Sequence, residues 1–236
     1  MGYDYNNIEG GYYDKVYRRG SGIQSKWQRL KFDRMKAEMG RYAHHLDIGC
    51  GPGTFIGSLD EAGKSVGVDV SARQIEYAEE TYGTPEKIFQ VIEPGARLPF
   101  DDGFFCVVTI IELIEHMTWE DALGLLKEAA RALEPGGRLL LSTPNYDAFW
   151  PALEFILNRV STVSYEEQHI TKYNRESLKK ILTEGGFTVK NVGAYLFAAP
   201  FLALLGWGAA DAADRIEPRA VTERLGHLLL ATAVKA

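Results

Sequence analysis

Short apolar runs alternate with helix-like segments from residue 44 onward, and this alternation constrains the fold more than any other feature. The runs lack a regular polar alternation, so both faces of each strand are expected to be buried. A mainly parallel sheet with helices on both sides buries its strands in this way. In chain order the runs are His44–Ile48, SVGVDV, KIFQVI, CVVTII, GRLLLSTP, FTVKNVG and LLLATAV. We therefore predict a doubly wound α/β fold in one domain over residues 1–236.

Helix signals occur before and between these runs. Apolar residues recur at near-helical spacing in the first forty positions: Trp27, Leu30, Met35 and Met39. Gly40 is a predicted stop, so residues 1–43 are expected to form a helical cap. Further helices are predicted at 54–62 behind an N-cap at Thr54, between Ser71 and Gly83, at 119–133 and at 177–184.

Charge and cysteine content restrict the possible partners. The formal net charge is −6, and no basic face of the kind that neutralises many phosphates is visible, so no nucleic-acid partner is expected. Cys50 and Cys106 have neither metal-ligand nor disulfide spacing. No signal-peptide pattern is seen at the N-terminus. These features predict a reduced, cytoplasmic setting and no metal site.

The stretch LDIGCGPG, at 46–53, places three glycines in five residues directly after the first apolar run. Such a turn lets the backbone approach a ligand and direct its N–H groups at it, although a plain tight turn is the alternative. Asp69 ends the second run, twenty residues after Gly49. A carboxylate there can accept both ribose hydroxyls; it could also cap a helix, but Ser71 already offers that cap. The combination predicts a site for a nucleoside cofactor.

Asp47 precedes the glycine turn and indicates the charge of that cofactor. A carboxylate at this position would repel a pyrophosphate and attract a cation. The turn also reads G-C-G-P-G rather than the dinucleotide fingerprint G-x-G-x-x-G. Both features count against a nicotinamide-dependent oxidoreductase and favour S-adenosylmethionine, which carries an ammonium and a sulfonium.

Further stretches follow in a fixed order: VGVDVS, LPFDDGFFCVV, IELIEHM, LEPGGRLLLSTPN and HITKYNRESLKKILTEGGFTV. Together with LDIGCGPG they resemble the class I S-adenosylmethionine-dependent methyltransferases from residue 46 to about 192. The last stretch is similar to the type 11 subgroup related to ubiquinone-biosynthesis O-methyltransferases. The resemblance implies a Rossmann-like, seven-stranded, mainly parallel sheet with an antiparallel last strand. It also implies a cofactor-binding core at 44–144.

The resemblance further implies roles for single residues. Asp47 would bind the methionine amino group through water, Asp69 would hold the ribose, and Val70 would pack on the adenine. Other cofactor-binding positions implied in this way are Gly49, Cys50, Gly51, Gly53, Glu93, Gly95, Ala96 and Ile111.

Two positions depart from the family pattern. Glu93 stands one residue earlier than the usual acidic residue that holds the adenine amine, so backbone groups of Gly95 or Ala96 are the alternative. Cys106 stands where the family has aspartate, and we expect a structural role there.

Methyl transfer to a hydroxyl requires a base, whereas a neutral amine can react without one. Candidate bases should lie near the carboxyl ends of parallel strands, where ligands bind in such sheets. We predict Glu112, His116 and His169 as catalytic residues. For each, a structural hydrogen-bonding role is the alternative, and Glu115 lies in the same stretch. His44 and His45 are expected to be structural and away from the site.

Aromatic residues suggest how the site is covered. Lid segments on the acceptor side are predicted at 145–176 and 194–226. Cofactor-covering candidates are Tyr12, Tyr13, Tyr17 and Trp27, with core packing as the alternative. Acceptor-pocket candidates are Tyr146, Phe149, Trp150, Phe155, Phe197, Phe201, Leu204 and Trp207. This set predicts an apolar small-molecule acceptor, lipid-like or quinol-like, methylated at oxygen.

Several interpretations of the function and of one apolar segment stay open. Methylation at nitrogen or carbon, or of a sugar or glycolipid, is one alternative, and a protein that binds S-adenosylmethionine without turnover is another. The uncharged segment 191–210 is read as a strand and an apolar helix over a pocket. The alternatives are peripheral membrane contact through 196–210 and a bilayer span. The oligomeric state is not predicted.

Overall fold

A computed structural model describes residues 9–60, 63–148 and 169–236. These residues form a seven-stranded sheet in the spatial order β3-β2-β1-β4-β5-β7-β6. The strands are β1 (His44–Ile48), β2 (Lys64–Asp69), β3 (Lys87–Val91), β4 (Phe105–Ile111), β5 (Leu133–Pro144), β6 (Phe187–Tyr195) and β7 (Leu228–Lys235). Every predicted apolar run is a strand, so the α/β prediction is confirmed.

Helices precede the sheet and connect its strands. They are α1 (Tyr12–Arg18), α2 (Gly22–Met39), α3 (Thr54–Gly57), α4 (Ala72–Tyr82), α5 (Trp119–Ala132), α6 (Arg175–Glu184), α7 (Trp207–Ile216) and α8 (Arg219–Leu225). Short 3-10 helices lie at Ile114–His116 and Phe201–Leu205. The predicted cap therefore contains two helices, α1 and α2.

The strand order places the site. β1 pairs in parallel with β2 on one side and with β4 on the other, so the chain extends through β2 and β3 on one side of β1 and then crosses to the other side at β4. A crevice forms at such a switch point, outside the carboxyl ends of the strands. β7 pairs antiparallel with both β5 and β6, which confirms the antiparallel last strand.

Apolar side chains cover both faces of the sheet. The larger cluster joins β1, β4 and β5 to α5 and α6, with Leu126, Ile181 and Leu182 fully buried. The second cluster packs α2 against the other face through Met35 and Met39. Met35 and Met39 were predicted from their spacing, and they fix α2 over the sheet.

Local signals explain the helix ends, with one correction. The Thr118 side chain accepts the Asp121 N–H at the start of α5, and Asn174 and Ser177 form a reciprocal capping box at α6. α3 is only Thr54–Gly57 rather than 54–62, and its N-cap is Gly53 with φ 71°, not Thr54. The left-handed Gly53 starts the helix one residue earlier than a threonine cap would.

The uncharged segment 191–210 contains the end of β6, the 3-10 helix Phe201–Leu205 and the start of α7. This agrees with a strand followed by helical structure. Across the described ranges, no helix combines the length and apolar character that crossing a bilayer requires.

Candidate active site

A cavity of about 910 Å³ opens at the carboxyl ends of β1, β2 and β4. The cap helices α1 and α2 form its other side, together with the segment after β4. Every residue predicted to bind the cofactor lines it except Gly53. The lining residues predicted in this way are Asp47, Gly49, Cys50, Gly51, Asp69, Val70, Glu93, Gly95, Ala96 and Ile111.

The three glycines of the turn have left-handed backbones, with φ of 75°, 51° and 71° at Gly49, Gly51 and Gly53. A β-carbon at Gly49 would lie 2.8 Å from a Leu113 methyl group, and one at Gly53 would lie 2.7 Å from the Phe89 ring. A β-carbon at Gly51 would meet no atom of the described residues within 4 Å. Gly49 and Gly53 therefore serve packing, while Gly51 keeps part of the cavity open.

Asp69, at the end of β2, is tied to the glycine turn. One carboxylate oxygen accepts the Gly51 N–H at 2.8 Å, and the other accepts the Ser71 N–H at 2.9 Å. Burial raises the pKa of Asp69, while these backbone N–H groups act in the opposite direction. Since a carboxylate has about four acceptor positions, it can also accept hydroxyls from a ligand in the cavity.

Asp47 is buried beneath the turn and belongs to a polar chain. It accepts a 2.6 Å hydrogen bond from the Thr109 hydroxyl, which lies 2.8 Å from His45 Nε2; His45 Nδ1 lies 3.2 Å from the Ser65 hydroxyl. Burial and, to a smaller extent, the nearby Asp69 raise the pKa of Asp47 to about 7, although the Thr109 hydrogen bond acts in the opposite direction. The carboxyl therefore takes up a proton readily, and a cation in the cavity would favour its charged form.

His45 differs from expectation in its position. It is structural in the sense that it is buried and hydrogen-bonded on both ring nitrogens, and burial lowers its pKa to about 3. It does not lie away from the site, however, because a single hydroxyl separates it from Asp47. His44 packs against Phe104 at the amino end of β1.

Glu112 follows β4 and lines the cavity, as predicted, but it does not stand alone. The Lys31 ammonium of α2 forms an ion pair with it, and the Lys31 side chain is 5% exposed. Glu112 also has φ 50°, which is uncommon for a residue with a side chain. This pairing makes Glu112 part of the contact between the cap and the sheet.

The two predicted histidines meet in the structure. The His116 and His169 rings lie 5.1 Å apart between centroids, and both line the cavity. Glu115 lies beside them and accepts a 3.0 Å hydrogen bond from the Thr143 hydroxyl. Burial and the neighbouring Glu112 raise the pKa of Glu115 to about 8. Polar groups therefore converge at this end of an otherwise largely apolar cavity.

The aromatic predictions hold in part. Tyr12, Tyr13 and Trp27 line the cavity, as expected for a cover, but Tyr17 packs against Phe32 in the cluster beneath α2. On the acceptor side, Phe201 lines the cavity, and Tyr146 lies 2.7 Å from His169 Nδ1.

The remaining acceptor-side aromatic predictions do not hold or fall outside the structure. Phe197 stacks on His227, Trp207 packs under the Lys26 ammonium, and Leu204 is 76% exposed. These three residues therefore do not form the cavity wall. Phe149, Trp150 and Phe155 lie outside the described residues.

Cys106 has the structural role that we expected. Its thiol donates to the His44 carbonyl at 3.1 Å, while the Ala43 and His44 N–H groups point at its sulfur. It thereby joins β4 to the start of β1, far from the glycine turn. Sequence reasoning missed Lys31 and Thr109, because neither a lysine on a cap helix nor a threonine within an apolar strand carries a distinguishing local signal.

Comparison with known proteins finds a family whose sequence pattern this chain matches. Residues 21–192 match a family described as "Methyltransferase domain". The chain is 33% identical over 153 residues to an O-methyltransferase, resE, of Aspergillus sclerotiorum, covering 62% of this chain and 55% of that protein. It is 30% identical over 196 residues to a demethylmenaquinone methyltransferase of Staphylococcus aureus, covering 74% and 80%.

A solved structure shares the fold. The magnesium protoporphyrin IX methyltransferase of Synechocystis, crystallised with bound S-adenosylhomocysteine (SAH), superimposes with a TM-score of 0.62 at 16% identity, covering 95% of this chain and 93% of that one. By contrast, the chain spans only 43%, 55% and 60% of the length of three curated relatives.

Proposed function

Because the chain belongs to the class I S-adenosylmethionine-dependent methyltransferases, we propose that it methylates a hydroxyl oxygen of a small, largely apolar acceptor. The observation that carries this proposal is the position of His116 and His169. They line the same cavity as the glycine turn and the two aspartates. One cavity thus contains a place for a cationic nucleoside and a place where a hydroxyl can lose its proton.

S-adenosylmethionine supplies a methyl group bound to a positively charged sulfur. The residues of this chain fit such a cofactor, because Gly51 leaves open space and Asp69 presents carboxylate oxygens at the turn. Asp47 adds a buried acid whose charged form a nearby ammonium would stabilise. Glu93, Gly95 and Ala96 would border the adenine, with Val70, 47% exposed, beside it.

The acceptor end favours oxygen over nitrogen chemistry. A hydroxyl is a poor nucleophile until its proton is removed, and an imidazole titrates in the range where it can accept that proton. Tyr146 lies 2.7 Å from His169 Nδ1 and so holds the ring in place. A site for a neutral amine would not need such a base.

Apolar side chains around the cavity support an apolar acceptor. Tyr12, Tyr13, Trp27, Ile23 and Phe201 contribute to its wall. Such a wall excludes water from the cavity and helps to hold the acceptor in line with the methyl–sulfur bond, and methyl transfer depends on this alignment. The name of one curated relative, demethylmenaquinone methyltransferase, agrees with an apolar acceptor, and the name of another, O-methyltransferase, agrees with methylation at oxygen.

A matched acceptor panel tests the proposal. The purified chain is incubated with S-adenosylmethionine and sets of ring compounds that differ in one group: phenol, catechol or hydroquinone, the corresponding aniline, and the methyl ether. Long-chain quinols and sugars extend the panel. We expect SAH to form, with a 14-dalton mass gain, for hydroxylated apolar members.

The alternatives are outcomes of the same panel. Product from anilines or sugars but not from hydroxylated rings would overturn the proposal in favour of nitrogen or sugar methylation. Tight cofactor binding in calorimetry with no product from any member would favour a binding protein without turnover.

A further inference from the structure

Three side chains of the metal-ligating type meet at the acceptor end of the cavity. Among the described residues, Glu115, His116 and His169 each offer a ligand atom, and these atoms all lie within 4.8 Å of one another. Glu115 is 1% exposed and His169 is 7% exposed. This is therefore an interior cluster that faces the cavity and not a surface patch.

Two hydrogen bonds from Thr171, one from its backbone N–H and one from its hydroxyl, hold the two parts of the cluster together. Glu115 and His116 lie in the 3-10 helix after β4, whereas His169 lies 53 positions further along the chain. The Thr171 N–H donates to the Glu115 carbonyl at 3.0 Å, and the Thr171 hydroxyl donates to the Met117 carbonyl at 2.6 Å. The segment carrying His169 is thus fastened to the segment carrying the other two ligands.

Outer partners orient the ligands. The Thr143 hydroxyl donates to the Glu115 carboxylate at 3.0 Å, and the Tyr146 hydroxyl lies 2.7 Å from His169 Nδ1. Protein metal sites use such second partners to fix the ring orientation of a histidine and the position of a carboxylate. A buried carboxylate is also costly unless it is paired or coordinates a cation.

We propose that Glu115, His116 and His169 bind one divalent transition-metal ion. Two imidazoles and a carboxylate suit zinc, manganese, iron or cobalt better than magnesium, which prefers oxygen ligands alone. Metal–ligand bonds of about 2.0–2.2 Å place ligand atoms about 3–4 Å apart. A contraction of the cluster by roughly an ångström from its widest spacing would therefore suffice. This proposal differs from our sequence-based expectation of no metal, which stays untested.

The ion gives the cluster a chemical role, which rests on the proposed function. Positions not taken by protein ligands would bind water or the acceptor hydroxyl. A metal ion lowers the pKa of a bound hydroxyl, so its proton is lost to solvent near neutral pH. The oxygen then forms a bond to the methyl carbon as the carbon–sulfur bond breaks, and the sulfur keeps the electron pair. The preferred acceptors would be those with two adjacent oxygens, such as catechols, which can chelate the ion.

This assignment differs from a simple imidazole base. A base needs one histidine and no metal, and loss of the other histidine would affect it little. A metal site needs all three ligands, so each single substitution should weaken metal binding by about 10-fold or more. The two readings therefore predict different results for the same set of variants.

Cobalt(II) provides a readout that is independent of turnover. The full chain is freed of metal with a chelator, dialysed, and titrated with cobalt chloride while visible absorption is recorded. We expect absorption bands of protein-bound cobalt that saturate at one ion per chain. His116→Gln, His169→Gln and Glu115→Gln should each weaken this binding by 10-fold or more. His44→Gln, at the amino end of β1, is the matched control and should leave it unchanged. Circular dichroism confirms that each variant is folded.

The outcomes of these experiments decide between the proposals. Saturating bands that the site variants lose and the control keeps would support it, and a catechol acceptor turned over only after metal is restored would support its chemical role. Absence of a 1:1 cobalt spectrum, or bands unaffected by all three site variants, would overturn it. Full methylation of a hydroxylated acceptor in excess chelator would remove the metal's role and leave the proposed function intact. Specific cobalt binding with no hydroxyl methylation in the panel would instead remove the proposed function.

Discussion

Lys31 in α2 and Glu112, the residue after β4, form an ion pair across 81 positions of the chain. The lysine side chain is 5% exposed, and the glutamate has the left-handed φ of 50°. The pair joins the helical cap to the sheet beside the cavity, where the carboxyl ends of the strands lie.

Loss of this ion pair should weaken the contact between the helical cap and the sheet. Lys31→Met keeps most of the side-chain volume but removes the charge, so we expect the free energy of unfolding to fall by about 1–3 kcal/mol. Urea unfolding followed by circular dichroism measures the change. Lys36→Met is the matched control, because Lys36 lies on the same helix and pairs with Asp33 at its more exposed surface; its effect should stay within about 0.5 kcal/mol. Equal losses in the two variants would contradict the role given to Lys31.

The cofactor end of the site could be predicted from sequence because its signals are local. A strand, a glycine turn and a helix follow one another within about fifteen residues, and an apolar run ending in Asp69 comes soon after. Parallel pairing of β1 and β2 then brings Asp69 next to the turn, where it accepts the Gly51 N–H. Residue type and chain order were enough to place both aspartates.

The acceptor end depends on how distant segments cross, which no local pattern records. His116 and His169 were each predicted as candidates, but their contact depends on the Thr171 hydrogen bonds to the turn after β4. From the sequence, Lys31 would be expected to face solvent, and only the packing of α2 against the sheet shows that it is buried. For the same reason the grouping of Glu115, His116 and His169 could not be seen as a spacing motif.

Substitution of Gly51 by alanine should weaken ligand binding far more than it lowers the free energy of unfolding. In Gly51→Ala the β-carbon meets no atom within 4 Å in the part of the chain that the structure describes, so the stability loss should be the left-handed backbone cost of about 1–2 kcal/mol. The added methyl group would occupy cavity space at the turn, and the affinity for SAH should fall at least 10-fold. Gly136→Ala is the control, because Gly136 also has a positive φ of 78°, meets no atom of the described residues within 4 Å and lies away from the cavity. Calorimetry and urea unfolding of both variants separate the effects; unchanged affinity in Gly51→Ala would exclude a ligand at this position.

Cofactor affinity should rise with pH through the neutral range. Burial raises the pKa of Asp47 to about 7, so at pH 6 most molecules carry a proton there. A bound ammonium favours the charged carboxylate and lowers this pKa, so binding releases a proton and is opposed at low pH. We expect about tenfold weaker SAH binding at pH 6 than at pH 8. Titration calorimetry in two buffers of different ionisation enthalpy should show the released proton.

Asp47→Asn is the control for this pH dependence. The amide cannot titrate, so its affinity should be lower than that of the unaltered chain at pH 8 and nearly constant between pH 6 and 8. A pH dependence that survives in this variant would assign the titration to another group.

The Thr109 hydroxyl should set the pH at which the affinity for the cofactor changes. Its hydroxyl donates to Asp47 at 2.6 Å and thereby stabilises the charged carboxylate, opposing the effect of burial. Thr109→Val keeps the shape but removes the donor, so the Asp47 pKa should rise by about one unit, equivalent to about 1.4 kcal/mol. The midpoint of the affinity curve should move to higher pH by the same amount, with weaker SAH binding at pH 7. Ser65→Ala is the matched control, since Ser65 contacts the far side of His45 and leaves the Thr109 bond in place. A midpoint that moves equally in both variants, or in neither, would mean that Thr109 does not tune the acid beneath the glycine turn.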